Sequence, residues 1–386
     1  MGAGLESILP AVVMDSGLAR SLSSGRLKAG PGGAPRNDER VGWVERSETH
    51  HAMTKMGFAA AQPILQTNNN IMVGKRMSDA SDSSDDVPFN RDFPLQAGVV
   101  EEIRPGLRRV LCNNPSPFTF TGTVSYIIGT GKVAIVDPGP DDEAHAQALI
   151  DAVKGETVTH ILVTHTHKDH SPGTPRLKAA TGATVYAEGP HRASRPYFES
   201  ETVSTESGAD RAFRPDVTIR DGDVIEGDGW AVAAVATPGH TANHMAFAWT
   251  DRDAIFVGDH VMGWSTSIVA PPDGSMVDYM TSLDRLIGRD EQLYLSGHGA
   301  EILEGPRYSR FLKRHRVARE ASILHRLAKG ETDIPTMVRA IYIGIDPRLM
   351  GAAGYSVLAH LEDLVTRGVV ATDGDPLIGG RYRLAK

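Results

Sequence analysis

The chain has 386 residues, 40% hydrophobic and 23% charged, with a formal net charge of −8. That length supports a sizeable core and two or three domains, and the acidic balance excludes a protein that coats nucleic acid with its whole surface. The single cysteine, Cys112, excludes an internal disulfide and a thiolate metal cluster and suits a reducing compartment.

No apolar run reaches membrane-spanning length. The apolar stretch at 8–14 is short, contains Pro10 and lacks a basic flank, so it is a poor export signal. The expected location is the cytoplasm.

Residues 1–95 are rich in Gly, Ser, Asn and Asp, and SDASDSSDD at 78–86 is acidic and low in complexity. This composition predicts disorder. Within it, RNDERVGWVERSETHH (36–51) is similar to a repeat that appears when intergenic DNA of some bacteria is translated. That would make Met77 the initiator; a genuine flexible tail is the competing reading. His50 and His51 lie in this piece and are not counted as ligands.

Order is expected from about Gly98. Strands are predicted at Val99–Ile103 and Leu107–Cys112 around Arg104-Pro105-Gly106, and a hairpin at Val124–Ile128 and Val133–Val136 across Gly129-Thr130-Gly131. Ala144, Ala148, Leu149 and Ala152 give Asp141–Val153 a helical period. A buried strand follows at Thr157–Val163, then a helix around Pro175–Thr181 and a strand at Ala183–Ala187. Residues 188–216 read as a polar loop over a site. Further strands are expected at Val217–Ile219, Val224–Ile225, Trp230–Ala236, Met245–Trp249, Ala254–Val257 and Gln292–Leu295, with a helix at Ser275–Ile287. Strands in two halves, each flanked by helices, predict an α/β sandwich, αββα.

From 306 the character changes. Arg307–Lys329 has a long helical period with Phe311, Val317, Ala321, Leu324 and Ala328 on one side. The other faces carry Arg307, Arg310, Lys313, Arg314, Arg316, Arg319, Arg326 and Lys329 against Glu320. Helices near Ile334–Ile341 and Gly354–Arg367 and strands at Val369–Thr372 and Tyr382–Leu384 are the parts of a small winged-helix-like domain. The expected organisation is 1–95 extension, 96–305 sandwich, and 306–386 helical linker and winged helix. The basic helix can hold phosphates; a solvated face offsetting an acidic body is the alternative.

The chemistry concentrates in THTHKDH, 164–170. His165 and His167 alternate at a strand end, so they can face one point while Asp169 and His170 come round the turn. Imidazole and carboxylate are zinc ligand types. Three more stretches place a ligand type in a glycine-containing turn after a strand: Thr237-Pro238-Gly239-His240-Thr241, Gly258-Asp259-His260 and Ser296-Gly297-His298-Gly299.

HxHxDH, TPGHT, GDH and SGHG in this order resemble the metallo-β-lactamase superfamily over roughly residues 98–300. By position, the resemblance implies His165, His167 and His240 as ligands of one zinc and Asp169, His170 and His298 as ligands of a second. Asp259 would bridge, and Asp137 would support the site from behind. It implies two divalent metal ions, zinc expected, with a bridging hydroxide as nucleophile and Asp169 orienting it or accepting its proton. His244 would donate to a substrate oxyanion, with an ordinary buried histidine as the alternative. His260 has no assigned role. Manganese and iron suit the same ligands.

Within the superfamily, a secreted β-lactamase lacks support for want of an export signal, and one main lactamase class has cysteine where Asp259 stands. A β-CASP nuclease needs a whole domain where only about 40 residues separate Asp259 from His298. Asn114-Pro115-Ser116-Pro117-Phe118-Thr119 with Gly122-Thr123, Thr237–His244 and Asp278-Tyr279-Met280-Thr281-Ser282-Leu283 resemble the β-lactamase-like protein 2 family of single-stranded-RNA endoribonucleases, which also carries a C-terminal winged-helix-like domain.

The expected function is therefore a di-zinc hydrolase acting on single-stranded RNA. A glyoxalase II-like thioesterase or small-ester or lactone hydrolase is the alternative within the ligand set. A nucleic-acid-binding protein with a structural metal site is the alternative outside it. Expected partners are a small-molecule or single-stranded RNA substrate and no membrane, with a homodimer as one assembly open to the chain.

Overall fold

The computed structural model describes residues 87–201 and 208–386. The readings placed on Met77, His50, His51 and the rest of 1–86 lie outside the described residues. The disorder expected through residue 95 is corrected for 87–95. Val87 and Phe93 are buried, and the Arg109 guanidinium stands 4.9 Å over the Phe93 ring, so two large apolar groups anchor this segment ahead of Gly98.

The strands are β1 Val100–Arg104, β2 Leu107–Leu111, β3 Val124–Ile128, β4 Lys132–Val136, β5 Thr157–Leu162, β6 Thr184–Ala187 and β7 Val217–Thr218, hydrogen-bonded in that order in one sheet. The second sheet has the order β12-β11-β10-β9-β8, from β8 Val224–Glu226, β9 Ala231–Ala236, β10 Met245–Trp249, β11 Ala254–Gly258 and β12 Leu293–Ser296. Alternation along each strand separates the layers. Val124, Tyr126 and Ile128 meet Val232, Phe247, Phe256 and Leu295 between the sheets, while Ile127, Ile135 and Ile161 face outward.

Those outward residues pack on α1 Glu143–Ala152 and α2 Thr174–Thr181 through Leu149 and Leu177. On the other side, Ala246, Ile255 and Val257 pack on α3 Met276–Ile287 and α4 Gly305–Ala328 through Tyr279, Leu283, Tyr308 and Phe311. This is the expected αββα sandwich. Helix starts follow local chemistry: Asp142 caps α1 by accepting from the His145 amide, and Ser275 caps α3 by accepting from the Asp278 amide.

Beyond the sandwich, α4 runs into a separate apolar cluster. Ile323 and Leu327 pack with Met337 of α5 Ile334–Ile341, Val357 and Leu361 of α6 Met350–Thr366, and Val370 and Tyr382 of the hairpin β13 Val370–Thr372 and β14 Tyr382–Leu384. α6 begins four residues before the predicted Gly354, because a 3-10 turn at Pro347–Leu349 feeds directly into it. Among the described residues no helix is long and apolar enough to cross a membrane.

Strand direction gathers the important loops. β4 and β5 are parallel, as are β11 and β12, and β9 and β11 each run antiparallel to β10 between them. The carboxyl ends of β9, β11 and β12 therefore share one rim. The Met245 amide donates to the Thr164 carbonyl at 2.8 Å and the Val124 amide to the Gly297 carbonyl at 2.8 Å, tying the sheets together there.

His360 of α6 is buried with both ring nitrogens unpartnered. Burial, then Arg316 and Arg319, lowers its pKa to about 3. Below about pH 6.5 the unfolded chain takes up a proton that the folded chain refuses, so stability is full above that pH and falls toward pH 3. His360→Phe is expected to make the pH dependence of the denaturation free energy shallower by about 1.4 kcal/mol per pH unit between pH 6 and 4. Parallel slopes for the two proteins would overturn this.

Candidate metal centre

Seven polar side chains converge on the shared rim. His165 and His167 leave the end of β5, and His240 follows β9 in a turn whose Gly239 has φ 135°. A Cβ on Gly239 would lie 2.3 Å from the Tyr279 backbone, so only glycine lets this turn sit against α3. The three imidazoles form one group. His167 Nδ1 lies 3.1 Å from His165 Nε2 and 3.0 Å from His240 Nε2.

Asp169, His170 and His298 gather beside them with Asp259. His170 Nε2 is 3.3 Å from His298 Nε2, and Asp169 Oδ2 is 3.2 Å from His298 Nε2. Asp259 touches both groups: its carboxylate is 3.4 Å from His170 Nε2, 3.3 Å from His298 Nε2 and 3.8 Å from His240 Nε2. Gly297 leaves room for this. A Cβ there would fall 2.5 Å from Asp259 Oδ1 and 2.7 Å from His170 Cε1.

These donors fit divalent cations. Within each group the candidate ligand atoms all lie within 4.8 Å of one another. A tetrahedral ion with nitrogen ligands at about 2.0–2.1 Å places those nitrogens about 3.3 Å apart, close to the separations found. The remaining nitrogens are held from behind, as metal-binding imidazoles require. His240 Nδ1 donates to the Ile268 carbonyl at 2.6 Å, His298 Nδ1 to the Gly122 carbonyl at 3.1 Å, and His170 Nδ1 meets Asp137 Oδ2 at 3.0 Å. His165 Nδ1 lies 3.0 Å from the Thr164 hydroxyl.

The electrostatics agree. Burial, with neighbouring imidazoles, holds His165 well below the ordinary histidine range and His167 at about 3, so both are neutral and able to ligate. Burial also acts against a proton on His298, but Asp259 and Asp169 outweigh it and lift the value to about 10. Asp259 and Asp169 lift His170 in the same way. The carboxylates thus draw positive charge to this group, a demand that a divalent cation meets.

Asp137, which the resemblance sets behind the site, lies against His170 and Thr164. Buried at φ 53°, it accepts from the Thr164 amide and hydroxyl, both at 2.7 Å, as well as facing His170.

His244 stands where the alternative of an ordinary buried histidine would put it. Its Nδ1 meets the Thr237 hydroxyl at 2.8 Å, its ring stacks on His165 at 5.1 Å, and it is absent from the cavity wall. The His165 ring thus lies between His244 and the other candidate ligands. His260 lies further back, against Tyr279 at 4.5 Å.

Sequence reasoning missed His191 and Asp273. His191 Nδ1 is 3.0 Å from the Thr166 hydroxyl and its Nε2 is 3.3 Å from the Asp273 carboxylate, bracing the turn between His165 and His167 against the cavity rim. Neither residue sits in a motif, and only folding brings them together.

A cavity of about 1330 Å³ opens onto the ligands. His167, Asp169, His240 and Asp259 line its inner end. Tyr342, Ile345, Leu349, Leu358, Leu377 and Ile378 of the C-terminal region line much of the rest, with Phe118, Met262 and Trp264 from the sandwich, and charged side chains are set among them.

Residues 118–298 match the metallo-beta-lactamase superfamily, and residues 334–381 match the beta-lactamase associated winged helix domain. A lactamase-like protein, adaB, from Aspergillus niger is 27% identical over 294 residues, covering 72% of this chain and 86% of that protein. An atrochrysone carboxyl ACP thioesterase from Passalora fulva is 30% identical over 258 residues, covering 63% and 70%. The crystal structure of a metallo-beta-lactamase family protein from Thermus thermophilus superposes with a TM-score of 0.61 at 24% identity, covering 73% of this chain and all of that one. That likeness concerns the fold.

Asp137→Ala is expected to weaken divalent-cation binding by about 10–100-fold, read by competition with a chromophoric chelator. Unchanged affinity in a folded variant would show that Asp137 does not orient His170.

Proposed function

The chain belongs to the metallo-β-lactamase superfamily and is a metal-dependent hydrolase with a C-terminal winged-helix domain, and from that premise we propose that it cleaves acyl esters of the thioester type bearing an extended, largely apolar acyl group. The observation that carries this reading is the cavity, which meets the ligand cluster and whose wall is apolar and aromatic over most of its area. Such walls suit carbon skeletons. The thioesterase name of the Passalora fulva relative points the same way.

His165, His167 and His240 would hold one cation and Asp169, His170 and His298 a second, with Asp259 between them; zinc is the proposed identity. When bound, the cations supply the Lewis acidity that polarises the acyl carbonyl and makes a nucleophile of water near neutral pH. Asp169 is the ligand carboxylate with room to act on that water, since it lines the cavity and its side chain is 26% exposed. Burial raises its pKa, but His170 and His298 outweigh burial and keep it ionised. Its carboxylate can accept the proton released by the attacking water and pass it to the departing thiolate.

An open cluster on a cavity wall is unlike a structural metal site, whose ligands close around the ion.

A single-stranded RNA substrate finds less support. On α4, Arg307 pairs with Glu304 at 3.0 Å, Lys313 with Asp284 and Arg326 with Glu331 at 3.2 Å. Arg319 donates to the Ile341 carbonyl and covers Tyr342. The cavity wall also carries Asp273, Asp373 and Asp375, which oppose a polyanion.

Zinc-loaded protein is expected to hydrolyse long-chain acyl thioesters and to leave single-stranded RNA intact. Chelation should abolish turnover, and Asp169→Ala should lower kcat by about 10²–10⁴-fold. RNA cleavage without thioester turnover would reverse the assignment.

A further inference from the structure

The cavity wall holds a positive charge that no acid in the described chain answers. Arg316 of α4 is 2% exposed. Its partners are the Ser267 carbonyl, which accepts from Nη2, and the Tyr279 ring, centred 5.1 Å from the guanidinium carbon. Among the described residues no carboxylate stands within ion-pair distance of it. Its Nε is buried without a hydrogen-bond partner.

The neighbouring His315 repeats the pattern. Its Nδ1 is also buried without a partner. Its Nε2 lies 3.4 Å from Arg319 Nη2. A guanidinium has only donors, so Nε2 accepts and the proton sits on Nδ1. Burial, then Arg316 and Arg319, holds His315 at about 4, so the ring is neutral and the charge comes from Arg316. Two unanswered N–H donors therefore stand on consecutive residues, and both residues line the cavity.

Holding the Ser267 carbonyl requires a donor, not a buried cation, and a buried cation without a counter-ion is costly. A water can satisfy an N–H but not the charge. We propose that Arg316 and His315 form a subsite for a carboxylate borne by the acyl part of the substrate, apart from the scissile carbonyl.

This inference rests on the acyl-ester reading above. The subsite adjoins the reacting centre, because Ser267, whose carbonyl Arg316 holds, donates its hydroxyl to the Asp259 carbonyl at 2.5 Å. A carboxylate matches a single guanidinium and one further donor, whereas a phosphate dianion would leave charge facing Asp273 and Asp373 elsewhere on the wall. Those same acids disfavour a carboxylate along their own part of the wall.

The test compares two N-acetylcysteamine thioesters, benzoyl and 4-carboxybenzoyl, with full-length zinc-loaded protein. The carboxylated thioester is expected to show kcat/KM higher by about tenfold or more, the gain lying in KM. Arg316→Met should bring the ratio close to one, and Arg316→Lys should keep part of it. In parallel, calorimetry should show terephthalate binding wild type more tightly than benzoate, with the difference lost in Arg316→Met.

Equal handling of both thioesters and both acids by wild type would overturn the subsite. So would an equal loss on both thioesters in Arg316→Met, which marks a purely structural arginine. Should that variant not fold, Arg316→Lys and the wild-type ratios decide. If neither thioester is cleaved, the acyl-ester reading fails, and the binding comparison still decides the subsite.

Discussion

Two backbone hydrogen bonds, Met245 to Thr164 and Val124 to Gly297, close the sandwich at one rim, and the site depends on them. Each joins one sheet to the other beside a candidate ligand: His165 follows Thr164, and His298 follows Gly297. Ligands from opposite sheets stand 3.0–3.3 Å from one another because the backbones that carry them are bonded directly. The apolar filling between the sheets holds the layers, and the two bonds set their register at the rim.

Around that tie the chain buries an unusual density of polar groups. Imidazole nitrogens 3.0–3.3 Å apart on largely buried side chains are costly without something between them. The surrounding shell works against that cost. Asp137, Thr164, Ile268 and Gly122 each orient one ring, and Gly297 and Gly239 remove side chains that would push ligands apart. The left-handed backbone at Asp137 belongs to the same arrangement, since strain at one residue places a carboxylate where three donors meet it.

The C-terminal region encloses the cluster of His and Asp in a cavity. Without α6 and the loop between β13 and β14, the cluster would face open solvent; with them it sits at the end of an apolar cavity. Arg195 fastens the arrangement by pairing with both Glu201 of the loop over the site and Glu362 of α6. α4 serves both parts. Phe311 and Leu312 pack on the sandwich, Ile323 and Leu327 pack on the C-terminal cluster, and the residues between them, His315 and Arg316, face the cavity.

The order of elements and the candidate ligands were legible in the residues themselves. Strand alternation, glycine turns and the closely spaced His and Asp of THTHKDH are local properties, so the sandwich and the rim residues could be read along the chain. The helix start at Ser275 was legible for the same reason, and the one expected at Asp141 falls one residue later, at the cap Asp142. Phe93 could not be read as ordered, because its anchor is Arg109 on β2 and its neighbours are apolar. His244 could not be placed, because whether a buried histidine faces the substrate or stands behind a ligand depends on which imidazole stacks on it. The basic character of α4 was visible, but its meaning was not. Only packing decides that Lys313 and Arg326 are neutralised by acids while Arg316 is buried without one, since a charge acquires its role from partners that are distant in sequence.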